Sequence, residues 1–132
     1  MKFLFCEHCK NIIIYMHESG VTPVCCGDAM KELIPGSVDA SLEKHVPVIK
    51  DIRGMKDSCT TRVVSVDIGE TAHPMEAAHY IQWVSLETNK GFYTKYLRSN
   101  GEPHVCFSID DDEKIVAVYS YCNLHGLWKA LI

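Results

Sequence analysis

Four cysteines crowd the start of the chain, as Cys6-Glu7-His8-Cys9 and then the adjacent pair Cys25-Cys26, and this pattern limits the possible folds more than any other stretch. Around them the first 34 residues offer only a β-type "NIIIYM", a turn at "HESG" and a short apolar ending, "MKELI". A segment below about 40 residues needs a metal or disulfides to be stable. "MKFLFCEHCK" turns polar too early for an export signal, so the seven cysteines are expected to be reduced and to serve a metal rather than a disulfide framework. Four thiolates close a tetrahedron around one ion, and spacing alone leaves zinc and iron both open. Two adjacent cysteines cannot both reach one ion unless the local backbone opens, so the vicinal pair is expected to distort the site. His8 and His17 read as surface residues, because four thiolates need no further ligand.

"PGSVDASLE" follows, a Pro/Gly/Ser-bearing stretch that reads as a linker. Beyond it come β-type runs, "HVPVIKDI", "TRVVSVDI", "HYIQWVSLE", "GFYTKYLR", "HVCFSID" and "KIVAVYSY", broken at "RGMKDS", "TNKG", "RSNGEP" and "DDDE". Strands of this length and spacing predict an antiparallel sandwich or barrel with no helix worth naming. The expected organisation is all-β in two parts: residues 1–35 as a small metal-binding domain and residues 36–132 as the larger β domain. With 47% hydrophobic residues the chain can bury a core, yet no apolar run reaches the ~18 residues of a membrane helix. A cytoplasmic location with no membrane partner is therefore expected. A net charge of -4 without a Lys/Arg stripe argues against nucleic acid as a partner.

The larger part holds His45, His73, His79, His104 and His125. His104, in "GEPH", reads as an ordinary hydrogen-bonded histidine. The others stand in local patterns, "EKHVP", "AHPMEAAHY" and "YCNLHGLW", the last pairing His125 with Cys122. A thiol and an imidazole at that spacing serve a metal, a nucleophile with its base, or a core contact. A colourless zinc-stabilised binding module and a Cys-His hydrolase both stay open on this pairing. Four imidazoles and one thiolate around a single ion make a five-coordinate set. That set suits iron better than tetrahedral zinc, with four nitrogens in a plane and the thiolate on the axis.

With these three blocks in family order, the sequence closely resembles the superoxide reductases, and "CEHC" with "CCG" makes it similar to their two-iron form, the desulfoferrodoxins. The resemblance implies a desulforedoxin-like domain followed by an immunoglobulin-like antiparallel β-sandwich, with two iron ions per chain. Cys6, Cys9, Cys25 and Cys26 would bind one; His45, His73, His79 and His125 would be the equatorial ligands of the other and Cys122 its axial ligand. Glu43 and Lys44 match the mobile acid and base pair beside the open position. The implied reaction is one-electron reduction of superoxide to hydrogen peroxide with uptake of two protons and no release of dioxygen. A dismutase, which also oxidises superoxide, is the rival that ligands alone exclude poorly. A small electron donor such as rubredoxin and a homodimeric state come with the resemblance. One departure is visible: residues 53–71 are longer than the family pattern leads one to expect and most simply lengthen a hairpin. Of Cys59 and Cys106, which match no ligand block, one is expected to be an exposed or half-exposed thiol and the other to pack.

Overall fold

The computed structural model describes residues 1–56 and 59–132, without the side chains of residues 52–61, so the expectation for the Cys59 thiol lies outside what is described. The chain divides into two compact units, Met1–Ile34 and Pro35–Ile132.

In the first unit, β1 (Phe3–Phe5) lies between β2 (Ile12–Ile14) and β5 (Lys31–Glu32), and β3 (Val24–Cys25) pairs with β4 (Asp28–Ala29). Its buried cluster is only Leu4, Cys6 and Met30, with Tyr15 and Cys25 packed against them. At ~1.5–3 kcal/mol per large buried side chain, so small a cluster cannot offset the chain entropy of 34 residues. The two cysteine pairs sit on the turns. The amide of Lys10 donates to the carbonyl of Cys6 (2.9 Å), and Lys10 takes a positive φ to close that turn. Cys26 and Gly27 form the two-residue connection of the β3–β4 hairpin, with φ of 53° and 88°. Two positive φ values in a two-residue loop are those of a type I′ turn, whose twist matches the flanking strands. The backbone opening expected of the vicinal cysteines is this turn, and Gly27 relieves half of it.

In the second unit, α1 (Leu42–His45) leads into β6 (Pro47–Lys56), β7 (Cys59–Ile68), β8 (Ile81–Thr88), β9 (Phe92–Tyr96), β10 (His104–Ile109), β11 (Ile115–Cys122) and β12 (Gly126–Leu131). Two antiparallel sheets, β10-β7-β6 and β12-β11-β8-β9, make a seven-stranded sandwich. Period-2 alternation sends Val64, Val66, Ile68, Val105, Phe107 and Ile109 inward from one sheet, against Ile81, Val84, Leu86, Val118 and Cys122 of the other. A register shift between Tyr121 and Cys122 skips Gln82, so that Ile81 enters the core beside Cys122.

Three details differ from the sequence expectation. The break at "RGMKDS" is narrower, because β6 and β7 stay paired from Pro47↔Ile68 out to Lys56↔Cys59. The last two residues of the expected linker, Leu42 and Glu43, open a short helix. A seventh strand of the sandwich, β12, pairs with β11 from Cys122↔Gly126 to Ala117↔Leu131. Among the described residues no helix is long and apolar enough to cross a membrane.

Candidate metal centres

The sandwich gathers His45, His73, His79, Cys122 and His125 so that one ligand atom from each lies within 4.8 Å of all the others. Different elements carry them. His45 ends α1, His73 and His79 lie between β7 and β8, Cys122 ends β11, and His125 sits in the turn to β12. Backbone carbonyls orient two of the rings. His45 Nδ1 donates to the Ser41 carbonyl (2.6 Å), and His73 Nδ1 to the Pro74 carbonyl (2.6 Å), which turns both Nε2 lone pairs away from those contacts. Trp128 stacks on the His45 ring at 4.7 Å and donates its indole N–H to the His125 carbonyl (3.1 Å).

Neighbouring ring centroids stand 4.6 Å (His45–His73), 4.7 Å (His73–His79), 4.8 Å (His79–His125) and 4.8 Å (His45–His125) apart, each pair nearly perpendicular. The diagonal from His45 to His79 is 6.4 Å. Right-angled corners between such sides would give a diagonal of about 6.7 Å, so the corners at His73 and His125 are close to right angles and the four imidazoles form a pinwheel. His45 Nε2 and His125 Nδ1 are 2.9 Å apart, close to the ~3.0 Å between two nitrogens bound at right angles to one ion. Cys122 Sγ lies 3.6 Å from the same His125 nitrogen, and its residue is fully buried.

The residues fit a bound metal on two independent counts. The Nε2 atoms of His73 and His79 are buried with no hydrogen-bond partner, a state that costs about 1–3 kcal/mol per atom unless something occupies the space between them. Burial also pushes the imidazoles of His45, His73 and His79 below their ordinary range, His73 to about 4. They are therefore held neutral, the form that binds metal. Burial pushes the Cys122 thiol up, against the pull of the Leu124 and His125 amides, so a cation is needed beside it to keep a thiolate.

Cys6, Cys9, Cys25 and Cys26 form the second group, again with ligand atoms within 4.8 Å of one another. Cys9 Sγ and Cys25 Sγ are 3.5 Å apart. The backbone amides of Cys9 and His8 lower the Cys6 thiol to about 6, while contact with Cys9 and then Cys6 pushes Cys25 up to about 12. One thiolate forms readily and the crowding opposes the next, a conflict that a bound cation removes. His8 is exposed and pairs with Asp28 (2.6 Å), and His17 is exposed.

Glu43 and Lys44 are exposed on α1. The Ser41 hydroxyl donates to the Glu43 carboxylate and lowers it below its usual range. Lys44 is near enough for its charge to help depress His79. His104 bonds Asp67 (2.7 Å), and Cys106 is an exposed thiol on β10.

Two residues that sequence reasoning passed over shape the site. Asn123 accepts from the Tyr80 amide (2.9 Å) and donates to the Ala78 carbonyl (2.9 Å), fastening the Cys122–His125 turn to the loop that carries His79. Gly69, with φ of 85°, lets β7 turn beneath α1; its amide donates to the Val46 carbonyl (3.1 Å). Both are turn-type residues beside ligand motifs, and only that adjacency could have singled them out.

A family model described as desulfoferrodoxin matches residues 37–131. The chain is 42% identical to a desulfoferrodoxin of Nitratidesulfovibrio vulgaris, over 95% of this chain and 91% of that one. It is 37% identical to a desulfoferrodoxin homolog of Archaeoglobus fulgidus, over 98% and 96%. The crystal structure of the superoxide reductase from Treponema pallidum superposes with a TM-score of 0.73 at 33% identity, covering 97% of this chain and 98% of that one. The four-thiol group and the four-imidazole, one-thiol group match the two iron centres of the desulfoferrodoxins. Matched across most of its length and carrying both sets of donors, the chain belongs to the desulfoferrodoxin family.

Proposed function

We propose that the chain is a superoxide reductase, converting superoxide, one electron and two protons into hydrogen peroxide. In this reading His45, His73, His79, His125 and Cys122 hold the reactive iron, and Cys6, Cys9, Cys25 and Cys26 hold the second. The observation that carries it is the pinwheel of four imidazoles beside a fully buried thiol, with two buried ring nitrogens left unpartnered. Those five residues would hold an iron ion, which when bound would supply the electron, the Cys122 thiolate being the donor that favours this.

The chain's own groups do the remaining work. The Ser41 and Pro74 carbonyls hold His45 and His73 in the tautomer that turns Nε2 inward. Trp128 covers one face of His45 and keeps water from it. Lys44 Nζ gives a chain of charge -4 a local attraction for an anion and orders the water that delivers protons. The Glu43 carboxylate, kept ionised by Ser41, helps to displace the product.

Residues 1–35 and 36–132 act as separate domains in this reading. The first receives or stores electrons from a small donor such as rubredoxin, within a cytoplasmic homodimer. The test is metal analysis with a visible spectrum, followed by pulse radiolysis. Two irons per chain with distinct bands, and peroxide without dioxygen, are expected. Zinc in both sites after growth in ample iron, or evolved dioxygen, would overturn the proposal.

A further inference from the structure

Among residues that belong to neither donor set, the register of β6, β7 and β10 lines up reactive side chains on the outward face of their sheet. His104 pairs directly with Asp67, and Lys50 and Cys106 both pair with Ser65, one from either side. His104 and Cys106 are two apart on one strand and so share a face, while Val105 and Phe107 between and beyond them are buried.

The contacts run in sequence. Lys50 Nζ donates to Asp67 Oδ2 (3.0 Å), Asp67 Oδ1 meets His104 Nδ1 (2.7 Å), and His104 Nε2 meets Cys106 Sγ (3.3 Å). His104 and Lys50 hold Asp67 below the usual carboxylate range, so it is ionised and can only accept. The proton on Nδ1 is thereby fixed, and Nε2 offers its lone pair to the Cys106 thiol. A nucleophile, its base and the group that orients the base are in place. A cavity of about 600 Å³ opens on the side of the base, lined in part by Lys50, Asp67, Glu102 and His104.

We propose that Cys106, His104 and Asp67 form a peroxide-reactive thiol site, at which Cys106 is oxidised to the sulfenic acid by hydrogen peroxide. His104 Nε2 takes the thiol proton, and the thiolate sulfur attacks one peroxide oxygen. The S–O bond forms as the O–O bond breaks, and the departing hydroxide leaves as water with the proton returned by His104. Sulfur loses two electrons and peroxide gains them: one thiol and one hydrogen peroxide give one sulfenic acid and one water.

Peroxide suits this site better than an acyl substrate. Cys106 stands mid-strand, and among the described residues no helix N-terminus or turn adjoins it in the chain to converge amides on a developing oxyanion. Peroxide needs only a thiolate and a proton donor, and the exposed sulfur is open to it. The oxidant is the product of the reaction proposed above, so the physiological link rests on that reading; the chemistry at Cys106 does not.

The experiment adds hydrogen peroxide directly to the iron-loaded protein, traps sulfenic acid with dimedone and follows the peptide containing Cys106 by mass spectrometry. Labelling is expected to be about tenfold or more faster than in His104→Gln, with Asp67→Asn also slowed. Cys106→Ser should remove the label and leave superoxide turnover unchanged. As a check that needs no substitution, iodoacetamide should alkylate Cys106 faster in the folded protein than in the same chain in denaturant. Equal alkylation rates, or equal sulfenic acid formation in a folded His104→Gln protein, would overturn the proposal. Because peroxide is supplied as a reagent, loss of superoxide activity and loss of this chemistry are separate results.

Discussion

Replacing Gly69 by Ala tests whether backbone packing, and not only ligand identity, builds the four-imidazole centre. A Cβ at position 69 would stand 2.5 Å from the Thr71 carbonyl oxygen and 2.7 Å from those of Glu43 and Lys44. All three are backbone atoms, so no flexible side chain can swing away. Holding an L-residue at φ of 85° costs about 1–2 kcal/mol, and forcing three carbonyls aside adds about 1–3 kcal/mol. The second unit should therefore lose about 2–5 kcal/mol. Both tryptophans, Trp83 and Trp128, lie in that unit, so their fluorescence during urea unfolding reports it without interference from the first. Two of the displaced carbonyls, those of Glu43 and Lys44, belong to α1, which carries His45, so chelator competition should also extract iron from the His/Cys centre more easily. The absorption of the four-thiol centre should stay as it was. A Gly69→Ala protein within about 0.5 kcal/mol of the parent, holding iron equally well, would refute the argument.

Asn123→Ala removes two hydrogen bonds, leaving the part-buried Tyr80 amide unmet while the exposed Ala78 carbonyl turns to water, so about 1–2 kcal/mol should be lost in urea unfolding, with iron released faster to a chelator. Metal-free protein should weaken in acid. The His73 imidazole titrates at about 4 when folded, against 6.5 when free, so its contribution is present above pH 6.5 and lost as pH falls toward 4. The loss is about 3 kcal/mol at most, and a urea midpoint that stays flat from pH 7 to pH 4.5 would contradict it. Lys44→Ala should slow the encounter with superoxide several-fold in pulse radiolysis and flatten its dependence on salt; an unchanged slope would return Lys44 to the ordinary surface charges.

The elements visible in the sequence were those whose chemistry or periodicity is local. The C-x2-C of Cys6 and Cys9 and the Cys122–His125 pair mark themselves by spacing, and β10 by the alternation of Val105, Phe107 and Ile109 with polar neighbours. What escaped depends on contacts between distant segments. β12 is short, with Leu127 and Trp128 both buried in succession, so no alternation announces it. Helix α1 has four residues, too few for a helical period, and is held by Gly69 and Thr71 amides donating to Val46 and Glu43. Ser41 and Pro74 orient the site through backbone carbonyls, which residue type does not reveal, and Asn123 does so through a side chain whose partners lie more than 40 residues away in the chain. The row from Lys50 to Cys106 is set by strand register, which no single segment encodes.

The spans of the two donor sets set different timetables for the two centres. Cys6 to Cys26 closes within a 20-residue stretch, whereas His45 and His125 meet across 80 residues of chain. The longer closure costs only about 1.2 kcal/mol more in chain entropy, so equilibrium hardly separates them. Synthesis does. The four thiols are all in place 99 residues before His125 is added, and until then the second set lacks a corner. Newly made chains can thus hold a metal at one end while the other end is still incapable of binding one, and a shortage of iron late in synthesis would leave the catalytic half empty first.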